Sequence, residues 1–291
     1  MQAVQRRFMI RSLAAASLIF AGLALAAPSE TPQRVRDAAD GCRSTYCAQD
    51  AIFQAVPLQG LMKGVLESPV TFALLLEHGD FGLGGTSPLD GEAIVLDGRA
   101  YQARLDGQLR PIEPTERTSV LWVKRFQPDR QIAIDAVSSL DTLTALLDGQ
   151  VGSVNRMHAV RLDGHFSRVT LRSVPRQAPP YRSVSEVVKD QNVFVLENVQ
   201  GTLVGYRFPA FLSGVNAPGY HFHFVDLERR RGGHVLDLAS ASLLAQIDTT
   251  RAITLVVPDD ALFDSTDFTA SPGGSDYQPA LRPNFQRPAP R

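Results

Sequence analysis

The chain is poor in cysteine, has no long apolar run after its N-terminal segment and has no concentration of positive charge. Its 291 residues include two cysteines and carry a formal net charge of -1. No later stretch approaches the roughly 20 consecutive apolar residues that a transmembrane helix needs, and no basic cluster offers a surface for nucleic acid. We therefore expect neither a membrane nor a nucleic-acid partner.

The first 26 residues have the composition of an export signal. Three arginines precede the apolar run 13–24, which ends in Ala24-Leu25-Ala26. A charged start, a short hydrophobic segment and a small-residue cleavage site are typical of a secretory signal peptide. We expect residues 1–26 to be removed and the mature protein to be periplasmic or secreted. In such an oxidising compartment Cys42 and Cys47 are expected to form a local disulfide, and their spacing disfavours a Cys-x-x-Cys redox function.

The remaining sequence predicts an α+β fold that is mainly β, with two packed domains of mixed or antiparallel sheet and a few short helices. Leu-Asp-Gly recurs, beginning at Leu89, Leu96, Leu105, Leu147 and Leu162. Asp-Gly is a hairpin-turn signal, and these copies have no fixed period, so they indicate turns between strands. Short helices are predicted after Ser68-Pro69 over 72–76, at 143–147, and at the capping box Ser183-x-x-Glu186.

The prolines between 175 and 180 give the best interior boundary, because they interrupt both helices and central strands. We divide the mature chain near Tyr181 into a β-rich N-terminal domain, 27–180, and a metal-binding β domain, 181–291. From Ser271 onward the sequence is crowded with Pro and Gly, which predicts a loosely ordered tail.

Three of the six histidines lie close together. In an extended strand His221 and His223 point to the same face, and Gly232-Gly233 indicates a turn that brings His234 back beside them. Three imidazoles with an open fourth position describe a catalytic zinc site, whereas a structural site is normally closed by four protein ligands. The alternative, in which His-x-His is merely solvated or hydrogen-bonded, is weakened by the third histidine. Asp226 and Asp237 flank the ligands and are candidates to bond their free ring nitrogens.

Several ordered motifs surround this segment. They are Gly79-Asp80-Phe81-Gly82-Leu83-Gly84, Leu89-Asp90-Gly91-Glu92, Val174-Pro175-Arg176-Gln177, 201–206 and 219–237. Together they resemble the bacterial α-acetolactate decarboxylases over most of the mature chain. The resemblance implies a homodimeric enzyme that converts 2-acetolactate to acetoin and CO₂, with Zn²⁺ held by His221, His223 and His234. It also implies that Glu92 and Arg172 belong to the site.

Two positions depart from that family's pattern. Many members have threonine where Gly85 aligns, unless Thr86 takes its place here. The family commonly supplies a glutamate from the C-terminal tail to the zinc site, and this chain has no glutamate after Glu228. The candidate replacements are Asp264, Asp267 and Asp276.

The substrate that the resemblance implies is a 2-hydroxy-3-keto acid, whose ketone can accept the electrons left by the departing CO₂. Zinc bound by three imidazoles acts as a Lewis acid on the ketone and hydroxyl oxygens, so no organic cofactor is required. We expect Arg172 to hold the departing carboxylate or the enediolate, and Glu92 to handle the hydroxyl proton or act as an acid. On position alone, the more natural interpretation of both residues is that they are exposed strand residues, and the resemblance reverses that order.

Two other functions remain open on the sequence alone. His221-x-His223 followed by Glu228 loosely resembles the first metal motif of cupins, which implies a metal-dependent oxygenase or isomerase. A non-catalytic exported protein that binds a metal or a small acid is the other alternative. Oxygen consumption with substrate would favour the first, and metal binding without CO₂ release would favour the second.

Overall fold

The computed structural model describes residues 50–269, and these form a mainly β structure, as predicted. The strands are β1 Ala51–Ala55, β2 Phe81–Thr86, β3 Glu92–Leu96, β4 Arg99–Ala103, β5 Leu109–Pro111, β6 Thr118–Lys124, β7 Arg130–Ile134, β8 Met157–Ser173, β9 Asn192–Phe208, β10 Gly219–Asp226, β11 Gly232–Thr250 and β12 Ala252–Val256. The α-helices of this region are α1 Leu58–Met62, α2 Phe72–His78, α3 Leu140–Asp148, α4 Val184–Val187 and α5 Ala261–Ser265. The predicted signal peptide, the Cys42 and Cys47 pair and the tail from Ser271 lie outside the described residues.

The strands form one mixed and one antiparallel sheet. The first has the order β12-β1-β6-β2-β3-β4-β5, in which only the β1–β12 pair is parallel. The second has the order β10-β9-β8-β11-β7, and β10 also pairs with β11, so that β8 to β11 form a closed ring. Within residues 50–269 no helix is long and apolar enough to span a bilayer.

Alternating side chains along the strands build the core in layers. In β6, Val120 and Trp122 face the second sheet and pack against Val204 and Tyr206 of β9. Leu121 and Val123 point to the opposite side, where they pack against α2. Helix α3 covers the outer face of the second sheet. Burial on both sides explains why residues 120–123 of β6 are all apolar rather than alternating with polar residues.

The predicted helices are present, with corrections at two starts. Helix α3 begins at Leu140, with Ser139 as its N-cap, rather than at 143. Helix α2 begins at Phe72, but its N-cap is Thr71, whose hydroxyl accepts a hydrogen bond from the Leu74 backbone N–H. Ser68 instead donates to the carbonyl oxygen of Thr118. The capping box of Ser183 and Glu186 is present at α4.

Two of the five Leu-Asp-Gly copies are not turns between strands. The copy at Leu147 ends helix α3. The copy at Leu162 lies inside β8, where a Cβ on Gly164 would come within 2.9 Å of the Ser242 carbonyl oxygen of β11. This glycine therefore allows two long strands to approach closely. In the sequence, a glycine required by a distant strand cannot be distinguished from a glycine required by a turn.

The boundary predicted near Tyr181 falls between β8 and β9, which pair along most of their length. Strand β7 also joins the second sheet from before that boundary, and β12 joins the first sheet from after it. Each sheet is therefore assembled from both sides of Tyr181. The prolines mark a connection between adjacent strands of one sheet.

Candidate metal centre and active site

The three clustered histidines meet on the β10–β11 hairpin. His221 and His223 lie two residues apart in β10, and His223 pairs directly with His234 of β11. Phe222 and Phe224 point to the other side and enter the core beneath α3. The predicted arrangement of faces and the predicted return of His234 beside the first strand are confirmed. Gly232 and Gly233 themselves lie in β11, paired with β10, and residues 227–231 form the turn.

The facing nitrogens are spaced as metal ligands are. Nε2 of His221 lies 3.2 Å from Nε2 of His223 and 2.9 Å from Nδ1 of His234. Two nitrogens bound at about 2.0–2.1 Å in a tetrahedral zinc site lie about 3.3 Å apart. A ring nitrogen offers one hydrogen or one lone pair, so His221 cannot direct a good hydrogen bond to both neighbours at once. A single cation satisfies all three nitrogens, and the three residues could hold a metal ion.

A backbone carbonyl determines which nitrogen of His223 faces the cluster. Nδ1 lies 3.0 Å from the carbonyl oxygen of Ala93 in β3. Because a carbonyl only accepts, Nδ1 carries the hydrogen, and the lone pair of Nε2 is directed at the other imidazoles. Burial lowers the pKa of His223 to about 3, against the opposing effect of the Ala93 bond. The ring is therefore neutral at physiological pH, as metal binding requires.

The flanking carboxylates have other partners. Asp226 accepts hydrogen bonds from the backbone N–H groups of Arg230 and Arg231 and so orders the hairpin turn. Asp237 accepts from the backbone N–H of Leu140 at the start of α3 and from Arg168. The acceptor for His223 is thus a carbonyl on another sheet, which spacing along the sequence does not indicate.

Glu92 and Arg172 approach the histidines from different sheets. Glu92 begins β3, and Arg172 lies in β8, paired with His234. Glu92 Oε2 is 3.5 Å from Nε2 of His223, and Glu92 Oε1 is 4.0 Å from Nε of Arg172. Both side chains are buried. The structure therefore brings the two predicted catalytic residues and the three predicted ligands to one place.

Burial has the largest effect on the pKa values of Glu92 and Arg172. It raises the pKa of Glu92 to about 7, while the charge of Arg172 acts in the opposite direction. Burial also lowers the pKa of Arg172, and Glu92 opposes that shift. A carboxyl that titrates near neutrality can both accept and release a proton, as general acid–base catalysis needs. Among residues 50–269, Nε of Arg172 has no hydrogen-bond partner, so it is available to a ligand.

A small cavity adjoins these residues. It has a volume of about 50 Å³, and its polar wall includes Glu92, Arg172 and His221. The rest of the lining is mainly apolar and includes Leu61 of α1 and Val184 of α4. A small, largely apolar enclosure suits a ligand of a few heavy atoms, and by excluding water it strengthens charge interactions inside.

Sequence reasoning missed Trp122, which lines this cavity and is fully buried. Its ring lies against the ring of His221, with centroids 5.5 Å apart and planes at 68°. Strand β6 carries no motif, so the only available signal was that Trp122 is the single tryptophan of the chain.

Gly85 and Thr86, the two positions that could correspond to the family's threonine, have different surroundings. Gly85 lines the cavity and is paired with Glu92. Thr86 is buried, and its hydroxyl donates to the carbonyl oxygen of Asp90 and accepts from the side chain of Gln102. Its hydrogen bonds thus lie in the turn before β3, and Gly85 leaves this side of the cavity without a hydroxyl.

The candidate tail ligands lie apart from the histidines within the part of the chain that the structure describes. Asp264 is exposed in α5, and Asp267 bonds Thr269. The metal-binding group found among residues 50–269 contains only the three histidines. Asp276 lies outside the described residues.

Comparison with known proteins identifies the family of this chain. Residues 52–270 match the family model described as alpha-acetolactate decarboxylase. The chain belongs to this family. It is 40% identical over 211 residues to the alpha-acetolactate decarboxylase of Methanosarcina mazei, covering 72% of this chain and 73% of that protein. It is 39% identical over 212 residues to that of Klebsiella aerogenes, covering 73% of this chain and 82% of that protein.

Solved structures of the same family have this fold. The crystal structure of alpha-acetolactate decarboxylase from Bacillus subtilis strain 168 superposes with a TM-score of 0.77 at 32% identity, covering 80% of this chain and 99% of that one. The predicted family, the mainly β fold of two sheets and the enzyme class, a carboxy-lyase, are confirmed.

Proposed function

We propose that this protein is a zinc-dependent decarboxylase that converts 2-acetolactate to acetoin and CO₂. The observation that carries the proposal is the convergence of three imidazole nitrogens on a buried cavity that also holds Glu92 and Arg172. The activity named for the relatives supports the choice of substrate. When bound by His221, His223 and His234, zinc supplies a Lewis acid that stabilises negative charge on the ketone and hydroxyl oxygens.

Glu92 has the position and the protonation behaviour of the proton-transfer group. Its carboxylate lies beside His223, where a ligand's hydroxyl would approach. A cation on the histidines would favour the ionised carboxylate and so lower the pKa of Glu92. We propose that Glu92 removes the hydroxyl proton as the bond to CO₂ breaks and returns that proton when acetoin forms. The second proton that acetoin needs, which replaces CO₂ on the carbon atom, is taken up from water.

Arg172 binds the departing carboxylate and then stabilises the negative charge of the enediolate. Its Nε is a buried donor without a partner in the described part of the chain, and its charge is only partly balanced by Glu92 at 4.0 Å. A guanidinium remains protonated even when burial lowers its pKa, so it neutralises the enediolate rather than supplying the final proton.

We further propose that the protein is exported and forms a homodimer. The proposal of export rests on residues 1–26, with their charged start, apolar run and Ala24-Leu25-Ala26. The proposal of a homodimer rests on the family resemblance. Light scattering of the purified mature chain measures its mass, and mass spectrometry of secreted or periplasmic protein locates the cleavage site.

Acetoin formation tests the proposed reaction. Purified mature protein should release CO₂ and acetoin from racemic acetolactate, and His223→Ala should lose both activity and bound zinc. His165→Ala is a matched control, because His165 lies in β8 away from the three ligands. Wild-type protein that holds zinc and makes no acetoin would contradict the proposal and favour a binding function.

A further inference from the structure

Besides Arg172, one other residue of the cavity wall carries a hydrogen-bond donor with no partner in the described part of the chain. Trp122 is fully buried, it lines the cavity, and its Nε1–H has no hydrogen-bond partner among residues 50–269. Nε of Arg172, on the same cavity, also lacks one in that region. Buried donors are nearly always paired in folded proteins, because an unpaired donor retains its full desolvation cost. Two such donors on one cavity indicate a ligand that accepts from both.

The surroundings of Trp122 offer it rings rather than oxygen atoms. Phe208 and Tyr206 meet the indole edge to face, with centroids 5.8 Å and 6.4 Å away and planes at 90°. His221 packs at 5.5 Å on the metal-site side. The Tyr206 hydroxyl is already committed to the carbonyl oxygen of Phe81. A contact between the indole N–H and a ring face is a weak substitute for an oxygen acceptor.

We infer that the Trp122 indole N–H is a substrate-binding donor that, together with Arg172, holds the carboxylate of a 2-hydroxy-3-oxo acid. The inference rests on the proposed function for the identity of the substrate. In that reaction a metal held by the three histidines would take the ketone and hydroxyl oxygens, so the carboxylate is the acceptor left for the two donors.

A neutral donor suits a carboxylate that must leave. As CO₂ forms, the carboxylate loses its charge, so every contact that stabilises the charged group weakens toward the transition state. A second cation would stabilise the bound substrate more than the transition state. The indole N–H orients the carboxylate with a smaller ground-state effect. Its loss should therefore raise KM and leave kcat unchanged or slightly higher.

The single tryptophan of the chain allows one atom to be changed. Protein made with β-(benzothiophen-3-yl)alanine in place of tryptophan has sulfur instead of N–H at Trp122, in a ring of nearly the same size. Protein made with 4-fluorotryptophan keeps the N–H and is the matched control. Both are purified as the full mature chain and loaded with zinc.

Two probes identify the acceptor without any turnover. 2-Hydroxyisobutyrate has the carboxylate and the hydroxyl, whereas acetoin has the hydroxyl and the ketone. Calorimetry should show that the sulfur protein binds 2-hydroxyisobutyrate about tenfold more weakly than the control, the effect of one lost hydrogen bond. Acetoin binding should agree within about twofold. KM for acetolactate should rise by the same factor as the 2-hydroxyisobutyrate dissociation constant.

Thermal unfolding of the ligand-free proteins separates binding from structure. If the N–H is unpaired, its removal leaves the melting temperature unchanged or raises it; a clear decrease means that the N–H is bonded within the protein and overturns the inference. Equal affinity of both proteins for 2-hydroxyisobutyrate, or no binding by the control, contradicts it. An equal loss for acetoin overturns the assignment to the carboxylate. Weakened 2-hydroxyisobutyrate binding without acetolactate turnover in the control would support the donor role while refuting the proposed reaction.

Discussion

Lys124 is a fully buried lysine that connects the two sheets. It ends β6 of the first sheet, and its Nζ lies 2.5 Å from Asp248 Oδ1 and 2.6 Å from Thr250 Oγ1, both in β11 of the second. A third contact, at 2.9 Å, goes to Asp50, which is about one-third exposed. All three ammonium hydrogens therefore have acceptors.

Replacing Lys124 with methionine keeps the length of the side chain and removes the charge. Asp248, whose side chain is 4% exposed, keeps only the backbone N–H of Gln127 as a partner at Oδ2. Removing one partner of a buried ion pair, which leaves the other charge buried and unpaired, typically lowers the free energy of unfolding by about 3–5 kcal/mol. This is a large part of the roughly 5–15 kcal/mol by which domains are stable.

The loss should depend on pH in a defined direction. Burial already raises the pKa of Asp248, and Lys124 opposes that shift, so the pKa rises further in Lys124→Met. A carboxyl whose pKa is higher in the folded state favours folding below its unfolded pKa, and that contribution is lost as pH rises through the folded pKa. The difference between wild type and variant should therefore shrink as pH falls from 7 toward 4.

Urea unfolding at pH 7 and pH 5, followed by Trp122 fluorescence, measures the effect. Lys189→Met is the control, because Lys189 is exposed. Adding Asp248→Asn to Lys124→Met should recover part of the loss at pH 7, since no buried charge then lacks a partner. A loss below about 1 kcal/mol at pH 7, against the expected buried-pair cost, or a loss independent of pH, would refute this reasoning.

Three further outcomes follow from the site. Arg172→Ala should lower kcat by about 100-fold while zinc content stays unchanged, since one charged donor is lost from the transition state; loss of the metal instead would assign Arg172 to folding. Glu92→Gln should lower kcat/KM by about 100-fold and flatten the limb of the pH profile below pH 7 that belongs to Glu92, and a retained limb would assign it to another group. Thr86→Val should reduce the free energy of unfolding by about 1–2 kcal/mol and leave kcat and KM unchanged, whereas a kinetic defect would place the Thr86 hydroxyl in the site.

The metal hairpin could be predicted because its determinants are local. A period of two places His221 and His223 on one face, and the glycines before His234 allow the return strand to pack closely. A Cβ at Gly232 would collide with the carbonyl oxygen of Phe224 on the paired strand β10, so this position needs glycine for the two strands of the hairpin to approach. Short-range geometry is sufficient for this part of the site.

The rest of the site depends on pairings between distant segments. The contact of His223 with Ala93 joins residues 130 positions apart, and the Lys124 cluster joins β6 to β11. The apolar run in β6 indicates burial on both faces, but the sequence does not show which sheet Trp122 will pack against. The prediction of a turn at the Leu-Asp-Gly copy that begins at Leu162 was wrong for the same reason. The strand that requires glycine at position 164 is far along the chain.

Zinc titration of chelated protein tests the central claim most directly. Acetoin formation and Trp122 fluorescence are recorded as Zn²⁺ is added, since the only tryptophan lies against His221. We predict that chelated protein is inactive, and that both signals rise in proportion to bound zinc and level off at one ion per chain. Undiminished acetoin formation by protein shown to be metal-free would contradict the account.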